Sequence, residues 1–162
     1  MPIKRTPVVL TVENAKALIV RNRKDGLRCP CCTTFCKVYG RSLHHNMAYF
    51  LWWLVKAWEK KPRWYHIREA PDIEGRPAGG DYAKLQWWKM IESRANVDPS
   101  KKGSGLWRPT QVGIDFVYQR IRVPAKVYLY KKSFMGWGDK WTDMPGALGK
   151  HYDYAELMGR TV

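Results

Sequence analysis

From His44 to Glu59 the apolar residues Met47, Leu51, Leu54, Val55 and Trp58 recur at intervals of three and four, the spacing that lines one face of an α-helix. Pro62 closes the run, because its ring removes a backbone donor and clashes with the preceding turn. Around this helix the chain carries 45% apolar residues and nine tryptophans in 162 residues, enough to bury one main core without disulfides.

The remaining elements follow from caps, breakers and short apolar runs. Thr11 can cap an N-terminal helix carrying Val12, Ala15, Leu18 and Ile19, with Arg21, Arg23 and Lys24 near its C-terminal end and Gly26 ending it. Cys29 to Cys36 lacks periodicity and reads as a compact knuckle. Trp64 to Arg68 reads as a short strand, and Glu69 to Gly80 as a loop or one broken turn. Asp81 opens a second core helix through Tyr82, Leu85, Trp88 and Ile91, followed by an exposed polar hairpin from Asn96 to Gly105. Leu106 to Arg108 resumes as a strand, and Thr110 caps a third core helix with Phe116, Val117 and Ile121 that Pro124 terminates. Val127, Leu129 and a turn at Lys131 to Ser133 form a final β-hairpin ending near Trp137, and Tyr152 to Met158 makes one docked helical turn.

This order, helix, strand, broken turn, helix, strand, charged loop, strand and helix, is similar to that of winged-helix DNA-binding domains. Leu85-Gln-Trp-Trp-Lys-Met-Ile91 resembles the end of a recognition helix entering the first wing strand, and Leu106-Trp-Arg-Pro-Thr110 with Gly113 resembles the second wing strand running into a helix start. The resemblance implies an α+β fold: an N-terminal helix and Cys-rich knuckle over residues 1–42, a winged helix-turn-helix over 43–123, and a C-terminal hairpin and tail over 124–162. Leu51, Leu54, Leu85, Ile91, Phe116 and Val117 are then expected in one core. Cys29-Pro-Cys-Cys32, Met47-Ala48 and Gly105 to Thr110 also resemble segments of small phage and prophage proteins of unassigned function, which implies a mobile-element source and no particular chemistry.

Charge points to the partner. Lys and Arg number 29 against 14 Asp and Glu, a formal charge of +15. The excess is uneven: residues 1–28 hold 7 basic and 2 acidic groups, 29–64 hold 6 and 1, and 101–132 hold 8 and 1, while the other two stretches are close to balance. A polyanion, duplex DNA first, is the expected partner. The resemblance assigns Lys84, Gln86 and Lys89 to a major groove, Lys101 and Lys102 to phosphate contacts from the wing, and Arg94 and Arg108 to the wing base. A solubilising surface is the plain alternative. Trp87 and Trp88 can instead belong to the core, stack on unpaired bases of RNA or single strands, or anchor a host protein that the chain inhibits.

Four cysteines lie within eight residues, where a disulfide framework would disperse them, so reduced thiols in the cytoplasm are expected. Cys29 and Cys32 have the spacing of half a zinc site, and Cys36 with one of the neighbouring histidines, His44 taken first, would complete a Cys3His set. Ordinary thiols in a small aromatic cluster are the alternative. A Cys–His nucleophile has no further support, paired carboxylates and a phosphate-binding loop are absent, and an enzyme is not expected. Leu51 to Val55 is too closely flanked by charge to span a bilayer, so no membrane role is expected.

Overall fold

The computed structural model describes residues 10–72 and 80–162. The fold is mixed α+β, arranged as two compact units. One takes the chain up to Arg41 together with Tyr128–Gly136; the other takes Ser42–Val127 and Trp137–Val162. The hairpin expected in a C-terminal segment is thus grouped largely with the N-terminal unit.

In the first unit, α1 (Val12–Asn22) begins at Thr11, whose hydroxyl accepts from the Asn14 N–H at 3.2 Å. Gly26, at φ +94°, takes the left-handed turn after it and donates to Asn22 O. The segment expected as a knuckle lies at the tip of a hairpin. Strands β1 (Leu27–Arg28) and β2 (Phe35–Cys36) pair antiparallel, Leu27 opposite Cys36 and Arg28 opposite Phe35, and the Phe35 ring lies against Gly26. Strand β3 (Tyr39–Ser42) joins β8 (Lys126–Tyr130) and β9 (Ser133–Trp137) in a three-stranded sheet with β8 in the middle. Alternation in β8 buries Val127 and Leu129 and leaves Lys126 and Tyr128 exposed.

The second unit is organised by α2 (His45–Lys60), which buries Met47, Ala48, Phe50, Leu51, Trp52, Trp53, Leu54, Val55 and Ala57. That set is wider than one stripe. Strands β4 (Tyr65–His66), β5 (Ile91–Ser93) and β6 (Leu106–Pro109) form an antiparallel sheet in the order β4-β6-β5, with Tyr65 opposite Trp107 and Glu92 opposite Arg108. Tyr65 ties the sheet to the end of α2 by donating to Ala57 O at 2.6 Å. Helix α3 (Gln111–Val117) starts at Thr110, whose hydroxyl accepts from Gly113 N–H, and β7 (Val123–Pro124) pairs with β10 (Trp141–Thr142). Helices α4 (Met144–Leu148) and α5 (Tyr154–Gly159) open on the caps Asp143 and Asp153 and bury Met144, Leu148 and Leu157. All six residues expected in the core are buried, and no polar or charged residue among those described is buried with them.

Two helices differ from expectation. Asp81 to Ile91 is not an α-helix: Gly80–Gln86 is a 3₁₀ helix, Lys89 is left-handed at φ 55°, and Met90 N–H reaches back to Leu85 O at 3.2 Å. Tyr82 and Leu85, three apart, share one edge of the 3₁₀ helix, whereas Trp88 and Ile91 lie beyond its end. The third core helix stops at Val117 and not near Pro124, because Gln119 turns left-handed at φ 56° and Arg120 N–H returns to Asp115 O at 2.8 Å. Trp64 to Arg68 is strand only at Tyr65–His66; Ile67–Glu69 is a 3₁₀ turn capped reciprocally by His66 and Glu69. Much of the loop expected over Glu69 to Gly80 lies outside the described residues. Among the described residues no helix is long and apolar enough to cross a membrane.

A close backbone approach in this unit involves Gly113, where an added Cβ would sit 2.2 Å from Met90 O and 3.2 Å from Leu51 Cδ1. Gly113→Ala is expected to cost about 1–3 kcal/mol in denaturant unfolding, as overpacking does. Gly103→Ala, with nothing within 4 Å, should stay within about 0.5 kcal/mol. Equal effects would contradict this packing.

Candidate nucleic-acid interface

The loop between β5 and β6 is held by its own polar side chains. Asn96 donates to Asp98 O at 2.9 Å, Asp98 Oδ1 accepts from the Ser100 N–H and hydroxyl at 3.0 and 2.7 Å, and Ser104 donates to Arg94 O at 2.8 Å. These bonds, those from Ser100 foremost, keep the Asp98 carboxyl below its ordinary pKa. The loop therefore presents Lys101 and Lys102 to solvent from a turn of defined shape. Val97 at its tip is 94% exposed.

The predicted contact residues divide into two groups. Lys84 pairs with Asp81, Lys101 stands 3.6 Å from Asp98, and Arg108 pairs with Glu92 while its guanidinium lies 4.5 Å from the Trp64 ring centroid. The Gln86 amide nitrogen is bonded to Ala83 O at 3.0 Å. Lys89, Arg94 and Lys102 are exposed. Of the two neighbouring tryptophans, Trp88 is core, 4% exposed, with its indole N–H donating to Pro124 O at 2.7 Å. Trp87 is half-buried.

Sequence reasoning did not find the more lopsided surface. The described residues of the first unit hold nine basic side chains (Lys16, Arg21, Arg23, Lys24, Arg28, Lys37, Arg41, Lys131 and Lys132) against Glu13 and Asp25. Every ion pair among the described residues lies in the second unit. The N-terminal excess is visible in segment charge, but its union with the Lys131 and Lys132 turn is a long-range fact of folding. Arg41 lies 5.7 Å from the Tyr39 ring and Lys131 5.8 Å from that of Tyr130.

The same unit carries the cysteines at the β1–β2 tip. Cys29 N–H donates to Thr34 O and Thr33 N–H to Cys29 O, both at 2.8 Å, with Thr33 left-handed at φ 60°. Cys31 and Cys32 are exposed, Cys29 is half-buried and Cys36 is buried; all four are free thiols. Hydrogen bonding from Thr34 lowers the Cys32 pKa, with contributions from Cys29 and Lys131, and contact with Cys36 pushes the Tyr130 hydroxyl up. His44 belongs to the other unit, where its Nε2 lies 3.4 Å from Asp81 Oδ2. Among the described residues no group of three or more His, Cys, Asp and Glu side chains is found gathered as a metal site.

No family model, no curated protein and no solved structure matches the chain.

Proposed function

We propose that the protein binds nucleic acid, chiefly through phosphate contacts, as a factor of a phage or other mobile element working in the cytoplasm. The observation that carries this is the first unit's charge: nine basic groups with two acidic ones and no ion pair among its described residues. Such a surface gains by releasing the counterions of a polyanion, whereas paired cations must first give up their carboxylates. For the second unit the proposal is a winged-helix relative whose wing is the loop between β5 and β6. The sheet order β4-β6-β5, with α2 and the 3₁₀ segment against it, supports that reading and makes duplex DNA the preferred ligand.

The short 3₁₀ helix changes what is expected of recognition. It is too short and too tight to line a major groove as a long recognition helix does, and the Gln86 amide is bonded locally. Binding should therefore depend steeply on salt and weakly on sequence. Mobility-shift titrations with random duplex, single-stranded DNA and RNA at several salt concentrations test this. Near-absence of binding at physiological salt would favour instead the inhibition of a host protein.

Within that experiment, Lys101→Ala with Lys102→Ala should lower the slope of log affinity against log salt by about 0.9 for each phosphate no longer neutralised, with melting unchanged. Gln86→Ala should alter neither slope nor sequence preference; a changed preferred site would restore base reading to this segment.

For the cysteines the proposal is one zinc ion held by Cys29, Cys32 and Cys36, with His44 left to Asp81. Freshly purified protein should then carry about one equivalent of zinc and melt lower after chelation. Metal-free protein with unchanged melting would remove zinc from this reading.

A further inference from the structure

Four of the nine tryptophans are buried and three half-buried, but Trp137 and Trp141 of the second unit are 41% and 57% exposed. Trp141 is fixed by its backbone and not by burial of its ring. It pairs with Pro124 across β10 and β7, the neighbouring Lys140 O accepts from Ala125 N–H at 2.8 Å, and its own carbonyl accepts from the Arg122 guanidinium at 3.3 Å. The Pro124 carbonyl takes the Trp88 indole N–H, and the Trp137 ring centroid lies 5.9 Å from that of Trp88. The two exposed indoles are thus both tied to Pro124, one through the ladder and one through Trp88.

A tryptophan so exposed keeps a large apolar ring in water, and such rings are enriched where proteins bind. The charge beside it points to the ligand. Arg122, Lys126 and Lys140 are exposed and enter none of the ion pairs among the described residues. Lys126 lies close to the chain after Trp137, since a Cβ added at Gly138 would come 3.1 Å from the Lys126 Cβ. The nearby carboxylates are Asp139 and Asp143, the second accepting from Gly146 N–H at 2.9 Å as the cap of α4. Exposed rings beside cations suit a ligand that is both flat and anionic. A duplex offers phosphates but hides its base faces in the stack, whereas an unpaired strand offers both.

We infer that this surface binds an unpaired strand of DNA, one base stacking on the Trp141 indole and the flanking phosphates meeting Arg122, Lys126 and Lys140. Stacking and these cations call on no 2′-hydroxyl, so DNA suffices. Resting on the nucleic-acid reading above, this gives the second unit an unpaired strand as ligand in addition to the duplex proposed for its wing.

The test is binding of labelled oligo-dT to the full chain at several salt concentrations, beside an abasic strand of equal length and a random duplex. Trp141→Ala should weaken oligo-dT about tenfold at an unchanged salt slope, and should leave the abasic strand and the duplex unaffected, which also shows that the variant is folded. Trp141→Tyr should restore most of the affinity. Lys126→Gln with Lys140→Gln should instead lower the oligo-dT slope by about 0.7 for each phosphate left without its cation. Unchanged oligo-dT affinity in Trp141→Ala, an equal loss on the abasic strand, or tighter binding of oligo-U than of oligo-dT would overturn the assignment. Oligoglutamate competing as strongly as oligo-dT would overturn it too, marking a site for an acidic peptide. If random duplex binds with a steep salt slope while oligo-dT ignores Trp141, only this inference falls. If oligo-dT binds through Trp141 and no duplex binds, the inference stands and the preference for duplex falls.

Discussion

The burial of α2 on nearly every side is the constraint from which the second unit follows. A helix that hides nine of its sixteen residues cannot lie on a surface, so the β4-β6-β5 sheet, α3, α4 and the 3₁₀ segment pack around it. Side-chain burial of this kind is worth roughly 1.5–3 kcal/mol for each large apolar residue, far more than any of the exposed ion pairs. Charged groups are excluded from that core, and the basic residues stand outside it, many beside carboxylates. Close packing also sets the backbone: Gly113 lies so near Met90 that only a residue without a Cβ fits.

Local signals were legible where local physics decides. The caps Thr11 and Thr110, the α2 period and the turn at Lys131 all appear in the structure, since each depends on neighbours a few residues away. The three-residue spacing from Tyr82 to Ile91 is also plain in the sequence, but only Tyr82 and Leu85 lie on a 3₁₀ helix; Lys89 turns left-handed and Ile91 opens β5 where one α-helix is expected. Strand β10 and helix α4 lack a period of their own; β10 exists because Val123 and Pro124 offer it an edge.

The candidate sites show the same division. Clustered thiols are plain in the sequence, yet His44 turns to Asp81, a partner set by folding and invisible in cysteine spacing. Lys101 and Lys102 occupy an exposed loop as expected, while Lys84, Lys101 and Arg108 have carboxylate neighbours that segment charge conceals. A basic residue beside an acid is a weaker phosphate ligand than its formal charge suggests, because binding must replace the existing pair. Net charge is therefore a poor guide to where a polyanion would bind, and the distribution of charge outside ion pairs is a better one.

That distinction is the central claim, and it is measurable as a salt dependence on random duplex DNA. Arg21, Arg23 and Lys24 replaced together by Gln should reduce the slope of log affinity against log salt by up to about 2.7, or about 0.9 for each phosphate left without its cation. Replacing the paired residues Arg63 and Arg120 by Gln should leave the slope nearly unchanged. An unchanged slope in the first variant, or a larger fall in the second, would contradict the account.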